Sequence, residues 1–260
     1  MQHYSTIAVT DTFPIRTITL KRPERRNAMT AQMQMELITA LEDSAASGCR
    51  VLVLTGAGEA FCSGLDLSEL QGMLDKTAAE HRLEAERVAR LLLSLYEFPV
   101  PTIAAVHGAA IAGGAGLAII CDFTVATTDA KFGFTETRIG FVPALVSAFL
   151  SLQIKDKHSR DLLLTGRIID AHEACRLGIV TEVVAREELA KRIETLSATL
   201  IANSPQSLVA TKQLIAAQNR PWLDAAIVVA MEANAQARDT ADLREGVAAF
   251  LEKRKPIWSK

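Results

Sequence analysis

Two glycine-bearing turns constrain this chain more than any other feature. The first lies in Glu59-Ala-Phe-Cys-Ser-Gly-Leu-Asp-Leu67, the second in Ala105-Val-His-Gly-Ala-Ala-Ile-Ala-Gly-Gly-Ala-Gly-Leu117. Each stands between an apolar β-type run and a helix-like run, where glycine lets the chain turn sharply and leaves a backbone N–H aimed outward with no side chain in the way. Two such N–H groups converging on one oxygen form an oxyanion hole, the largest single electrostatic aid to a reaction that places negative charge on a carbonyl. Spacing alone does not establish that use, because glycine turns ahead of helices are common in all α/β proteins.

The surrounding pattern is α/β. Residues 6–9 and 15–20 alternate and read as a hairpin, after which Thr30 can N-cap an amphipathic helix to about residue 46. Val51-Leu-Val-Leu-Thr55 is a fully apolar strand, as expected in a sheet covered on both faces. A helix over 78–96 follows, then a strand over 119–126, a polar turn at 127–131 and a short strand running into Phe134-Thr-Glu-Thr-Arg-Ile-Gly140. This ββα recurrence predicts one wound core rather than two unrelated domains. From Glu187 the character changes to helices over 187–203, 205–218, 221–238 and 239–253, broken at Ser204-Pro205, Asn219-Arg-Pro221 and Pro256. Helices so rich in Ala and Val expose too much apolar surface to stand alone, and so cover the core or a neighbouring subunit. The last helix is expected to carry three cations, Lys253, Arg254 and Lys255, in its final turn. They either compensate the macrodipole or bind phosphate.

Composition removes several classes. A net charge of −2 with 49% hydrophobic and 22% charged residues gives no basic excess for nucleic acid. Cys49, Cys62, Cys121 and Cys175 show no CxxC pair, and the histidines no HExxH spacing, so neither a metal site nor a disulfide framework is expected. Cys62, beside the first turn, reads as a packed small hydrophobe rather than a nucleophile. The stretch from Pro99 to Cys121 is uncharged apart from His107. Its glycines and β-like start nevertheless make it a buried strand, turn and short helix rather than a membrane span. The N-terminal residues show no secretory signal pattern, so a cytoplasmic location is the default expectation.

An ordered string of motifs resembles the crotonase, or enoyl-CoA hydratase/isomerase, superfamily over nearly the whole chain. It comprises Leu20-Lys-Arg-Pro-Glu-Arg-Arg-Asn-Ala28, Val53-Leu-Thr-Gly56, Ala60 to Asp66, Ala105-Val-His-Gly108 with Gly113-Gly114, Cys121-Asp122, and Phe132 to Glu136 on through Gly140 and Pro143. It continues with Leu164-Thr-Gly166, Ala174 to Val180, Ser204-Pro205 and Phe250 to Pro256. The resemblance implies a spiral of ββα units over 1–200 holding the acyl-CoA site, and a C-terminal helical region over 201–260 that builds homotrimers, often paired into hexamers. It implies an acyl-CoA thioester as substrate with no further cofactor. Its oxyanion hole maps to the backbone N–H groups of Leu65 and Gly113. Its CoA contacts map to Leu65, Asp66, Leu67 and Ser68. Ser68 replaces the lysine of well-known hydratases, so the cluster Lys21, Arg22, Arg25 and Arg26, or the tail Lys253 and Lys255, is a candidate to supply the missing charge.

The acid/base groups depart from the family pattern. Where two-carboxylate hydratases carry their first glutamate this chain has Gly116; the second position is Glu136. Apolar neighbours Phe134, Ile139 and Phe141 would raise the Glu136 pKa toward a useful range, whereas Arg138 could pair with it and lower it. One carboxylate suffices for moving a β,γ double bond to α,β. The segments 112–117 and 135–147 resemble instead a bacterial branch of hydratases acting on methylglutaconyl- or carboxygeranoyl-type CoA esters, which also have Gly at the first position. Hydratase is therefore the leading expectation and isomerase the alternative, ahead of a thioester hydrolase or a non-catalytic acyl-CoA-binding protein.

Overall fold

The computed structural model describes residues 3–259. β1 (Ile7–Thr12) and β2 (Ile15–Leu20) form the expected antiparallel hairpin, with Ile7 opposite Leu20. The Thr30 hydroxyl accepts from the Met33 amide at 3.1 Å and starts α1 (Ala31–Ala45). β3 (Val51–Gly56) then lies parallel to β2. α2 (Leu67–Met73) is capped by Asp66, and α3 (Ala78–Tyr96) by a reciprocal box between Thr77 and Glu80. There follow β4 (Thr102–Val106), β5 (Ala109–Ile111), α4 (Gly113–Ile120), β6 (Phe123–Thr127) and β7 (Lys131–Gly133). A single 3₁₀ turn (Glu136–Ile139) leads to α5 (Ala144–Gln153), α6 (Asp156–Thr165), β8 (Ile168–Asp170), α7 (Ala171–Leu177) and β9 (Glu182–Val184). The chain closes with α8 (Leu189–Ala202), α9 (Pro205–Ala237) and α10 (Ala241–Leu251).

Six strands make one sheet in the order β1-β2-β3-β4-β6-β9, and three make another in the order β5-β7-β8. β4 and β6 belong to the first sheet, while β5 and β7, which follow them directly, belong to the second. Each ββα unit thus sends one strand to each sheet before its helix, and successive units wind as a spiral. The unit after β3 does the same in reduced form: its second strand is a single parallel bridge between Cys62 and Ala110. Alternation along β3 places Leu52 and Leu54 in the main core with Phe61, Phe132 and Phe149, and Val51 and Val53 in a second cluster under Leu200 of α8. Both faces of the parallel sheet are covered, as its uninterrupted apolar runs require.

Three expectations from sequence need correction. Ile119 and Ile120 finish α4, and the strand begins only at Phe123. A short apolar run buried on all sides has no periodicity to separate helix from strand. Pro221 does not break the chain but sits inside the 33-residue α9. A proline within a helix costs about 3 kcal/mol. Leu223, Ile227 and Ala230, buried where α9 packs on α3 and α5, offset this, since each large aliphatic contributes about 1.5–3 kcal/mol. The basic tail, finally, lies outside the last helix: α10 stops at Leu251, Lys253 takes φ +54°, and the Arg254 amide bonds back to Ala249 at 2.9 Å. That is a Schellman stop with lysine in the left-handed position, so these cations extend past the helix end. The residue 200 boundary falls within α8, which packs on the sheet. No helix among the described residues is long and apolar enough to cross a membrane, and Pro99 to Cys121 holds β4, β5 and α4.

Candidate active site

The two glycine turns meet because of strand register. The Cys62 amide donates to Ala109 and the Ile111 amide to Cys62, both at 2.9 Å, so the first turn runs parallel to β5. Gly64, at φ +96°, ends that pairing; a Cβ there would lie 3.3 Å from Ile111 O. On its other side the Met29 amide donates to Gly64 at 2.7 Å and the Asp66 amide to Met29 at 2.9 Å. Leu65 is thereby held between two bonded neighbours, with its own N–H free of any partner among the described residues. The second turn is pinned by the Ala112 amide donating to Gly133 at 2.7 Å, and Gly113 then opens α4 with its N–H likewise uncommitted. Ala112 holds φ +51° and ψ −124°, a conformation strained by about 1–3 kcal/mol for a residue with a Cβ. Leu65 and Gly113 line one cavity of about 200 Å³, where the positive end of α4 reinforces both donors.

Glu136 opens into the same cavity. It is 9% exposed, and its Oε2 has no hydrogen-bond partner among the described residues. Burial pushes its carboxyl up to about 7, against a smaller lowering by its own backbone amide. Arg138 forms no ion pair among the described residues and lies instead over Gly166, so the apolar setting rather than a guanidinium decides the state of Glu136. Gly116, one turn into α4, is closed off: a Cβ there would stand 2.8 Å from Cγ2 of Val146, which forms part of the cavity wall. The space a carboxylate would take at position 116 is filled by valine. Cys62 is fully buried, its thiol raised to about 11 by burial, and packs against Gly114 rather than facing the cavity.

The remaining sequence candidates divide. Leu65 lines the cavity, but Asp66 and Ser68 do not; they form the cap of α2. Asp66 accepts from the Ser68 amide at 3.0 Å and hydroxyl at 2.7 Å, and pairs with Arg22 at 2.8 Å. Burial would raise its pKa, yet those bonds outweigh it and hold the carboxyl below its ordinary value. Leu67 opens α2, and its side chain falls outside the described residues. Arg25 and Arg26 are exposed and free of ion pairs among the described residues, and their carbonyls accept from Ser63 at the rim of the first turn. Lys253 and Lys255 are exposed and equally free, whereas Arg254 is tied to Glu245 and Glu252. Phe250, just before them, reaches the cavity, so the chain's own last helix brings the tail near the mouth.

Three polar cavity residues escaped sequence reasoning: Gln34 of α1, Asn234 of α9 and Arg238 just beyond it. A signal existed, since Asn234 and Arg238 are polar residues on the same stripe as Ile227 and Ala230 of an otherwise apolar helix face. No group of His, Cys, Asp or Glu suited to a metal occurs among the described residues.

The sequence profile of the family described as Enoyl-CoA hydratase/isomerase matches residues 12–260. A Thermus thermophilus protein provisionally named enoyl-CoA hydratase is 42% identical over 238 residues, covering 91% of this chain and 94% of that protein. A crotonyl-CoA hydratase of Syntrophomonas wolfei is 31% identical over 241 residues, 91% of each chain. Among solved structures, an enoyl-CoA hydratase from Mycobacterium avium superposes with a TM-score of 0.86 at 31% identity, covering 99% of this chain and 100% of that one.

Proposed function

The chain belongs to the enoyl-CoA hydratase/isomerase family, and from that premise we propose that it hydrates an α,β-unsaturated acyl-CoA with Glu136 as its only acid/base group. The observation that carries this reading is the buried, unpartnered Glu136 carboxyl sharing one cavity with the free N–H groups of Leu65 and Gly113. With the thioester oxygen accepting from both amides, negative charge can collect there as an enolate. The Glu136 carboxylate takes a proton from water as the water oxygen bonds to C3. The resulting carboxylic acid then returns a proton to C2 as the enolate collapses, so water is added and the carboxylate regenerated. A group with a pKa near 7 can serve in both halves. The scheme needs no cofactor besides the CoA of the substrate. Arg25, Arg26, Lys253 and Lys255 are proposed to meet its phosphates at the mouth, with Leu65 against the pantetheine end. Exposed Leu214, Ile215, Val228 and Val229 on α9 support assembly into a homotrimer or a hexamer.

Isomerisation is the second reading, favoured by the closed position at Gly116. One carboxylate can remove a proton from C2 of a β,γ-enoyl-CoA and return it to C4. Mass spectrometry on a panel of enoyl-CoA esters separates the two: hydration adds the mass of water, isomerisation leaves mass unchanged while the double bond moves. Glu136→Gln should lower kcat by about 10²–10⁴-fold in either case, with thioester affinity nearly intact. Retained turnover would remove Glu136 from the mechanism.

A further inference from the structure

Water has to be held before it can be added, and few side chains of the cavity can hold it. A water attacking C3 gives one proton to Glu136 and must direct its second at an acceptor, so that a lone pair is left facing carbon. The polar side chains lining the cavity are Gln34, Ser63, Thr135, Glu136, Asn234 and Arg238. Gln34 Oε1 accepts from Arg87 Nε at 2.8 Å and Asn234 Oδ1 from Arg238 Nε at 3.1 Å, so both amides turn their oxygens toward protein. Arg238 has no acceptor at all. The Ser63 hydroxyl faces the Arg25 carbonyl at 3.5 Å, at the rim of the first turn. Thr135 is left.

Thr135 is half-buried and immediately precedes Glu136, at the head of the 3₁₀ turn. Its Cγ2 methyl lies against Gly133, 3.3 Å from where a Cβ would stand there, on the side of Ile168 Cγ1 and Ile111 Cδ1. Threonine is stiff at χ1, so packing of the methyl fixes the hydroxyl as the branch turned from that apolar side. The hydroxyl does not cap the 3₁₀ turn and makes no hydrogen bond among the described residues. Neither is it among the buried side-chain atoms left without a partner, so it is open to water rather than sealed in protein. Backbone bonds pin the whole turn: the Ala112 amide donates to Gly133 at 2.7 Å, the Arg138 amide to Thr135 at 3.0 Å, and the Phe141 amide to Glu136 at 3.0 Å. A hydroxyl and a carboxyl on adjacent residues of one pinned turn keep a constant separation, as two holders of a single water must.

We propose that the Thr135 hydroxyl holds the attacking water against Glu136 by accepting the proton that is not transferred. It thereby supplies the orientation for which position 116 offers no carboxylate. This rests on the hydration reading of Glu136 and deepens it by adding a residue that touches the reacting water. The water O–H bond facing Glu136 breaks as the oxygen bonds to C3, the C2–C3 π pair moves toward the thioester oxygen, and Thr135 keeps its own proton. Removing and returning a proton at C2 involves no such water, so the hydroxyl is dispensable there.

The test separates the two steps in one protein. Hydration is measured on the enoyl-CoA that wild type hydrates fastest, and proton transfer as deuterium gain at C2 of its saturated counterpart in D₂O, read by mass. Thr135→Val keeps the branched shape and removes the hydroxyl. It should lower kcat for hydration by about 10–100-fold, with KM and the rate of C2 exchange as in wild type. Thr135→Ser should retain most of the hydration. If the valine variant does not fold, Thr135→Ala supplies the same comparison. Unchanged hydration without the hydroxyl would overturn the inference. So would hydration and C2 exchange lowered by the same factor, which would make Thr135 a support for Glu136 and not for water. A wild-type protein that exchanges C2 protons yet hydrates no enoyl-CoA fails differently: hydration itself is then refuted, and the inference falls with it.

Discussion

Glu136 should cost stability where it confers activity, and the two effects can be measured on one variant. Burial raises its pKa from an ordinary 4.5 to about 7. A displacement of that size corresponds to about 3 kcal/mol. The native state holds the proton more tightly than the unfolded chain, so between these two values the folded protein binds more protons, and stability falls as pH rises. The loss begins near 4.5, is complete somewhat above 7, and persists at higher pH. Glu136→Gln removes the titration and keeps a neutral polar group of the same size. The variant should therefore melt close to wild type at pH 4.5 and above it at pH 8, by roughly 6–12 °C at about 2–4 °C per kcal/mol for a chain of this length. Activity should move oppositely. In wild type, kcat/KM should rise through about pH 7 as the carboxylate forms and then level, while the variant is slow and without that rise. Thermal unfolding followed by fluorescence, with initial rates across the same buffers, supplies both curves. Equal melting temperatures at pH 8, or a wild-type rate already level by pH 5, would refute the argument from burial.

Three further outcomes follow from the geometry. Gly116→Glu alone should destabilise the protein and fail to improve hydration of crotonyl-CoA, because its Cβ meets Val146 at 2.8 Å; adding Val146→Ala should recover stability and raise hydration above the single variant. A stable, faster Gly116→Glu would show that valine does not close the position. Lys253→Ala with Lys255→Ala should weaken CoA thioesters more than a pantetheine thioester lacking the nucleotide, and the difference should shrink with salt; equal losses would make the tail a helix terminus only. Gly246→Ala should cost about 1–3 kcal/mol in chemical denaturation, since its Cβ would stand 2.2 Å from Ile139 O where α10 packs on the 3₁₀ turn bearing Glu136. An unchanged midpoint would show that α10 can ride away freely.

The sequence was informative where local chemistry and tertiary structure agree. Thr30 caps α1 with its own side chain, as its place before the apolar run predicts, and the runs of β2 and β3 could only be strands. It failed where burial overrides local signals. Pro221 reads as a stop until the packing of Leu223 and Ile227 on α3 and α5 is known. Ile119 and Ile120 look like the start of a strand because nothing in an all-apolar run marks the end of a helix. Glu136 was legible as a candidate, but the competition between Arg138 and an apolar setting is settled only by where the side chains point. Arg238 was the opposite case: its polarity on a buried stripe was visible, and its contribution to the cavity required the fold.

The glycine at 116 and the pKa of Glu136 are best understood together. A second carboxylate at that position would face the same small cavity, and two acids in an apolar site cannot both ionise freely; they titrate as a pair, with one pKa strongly raised. Such a pair separates the tasks, one member ionised to activate water and the other protonated to supply C2. Here Val146 fills the place and adds apolar surface to the cavity that Glu136 enters. The substitution removes one group and, by the same packing, keeps the other near neutrality, where a single carboxyl can both take and return a proton. It follows that opening the wall without adding a carboxylate should be harmful. Val146→Ala alone admits water beside Glu136, lowers its pKa toward the ordinary range, and leaves a weaker base with no second group to assist. The pH midpoint of kcat/KM should then shift to lower pH while the plateau rate falls. A midpoint unmoved from wild type would show that Val146 contributes volume to the wall but nothing to the desolvation of Glu136.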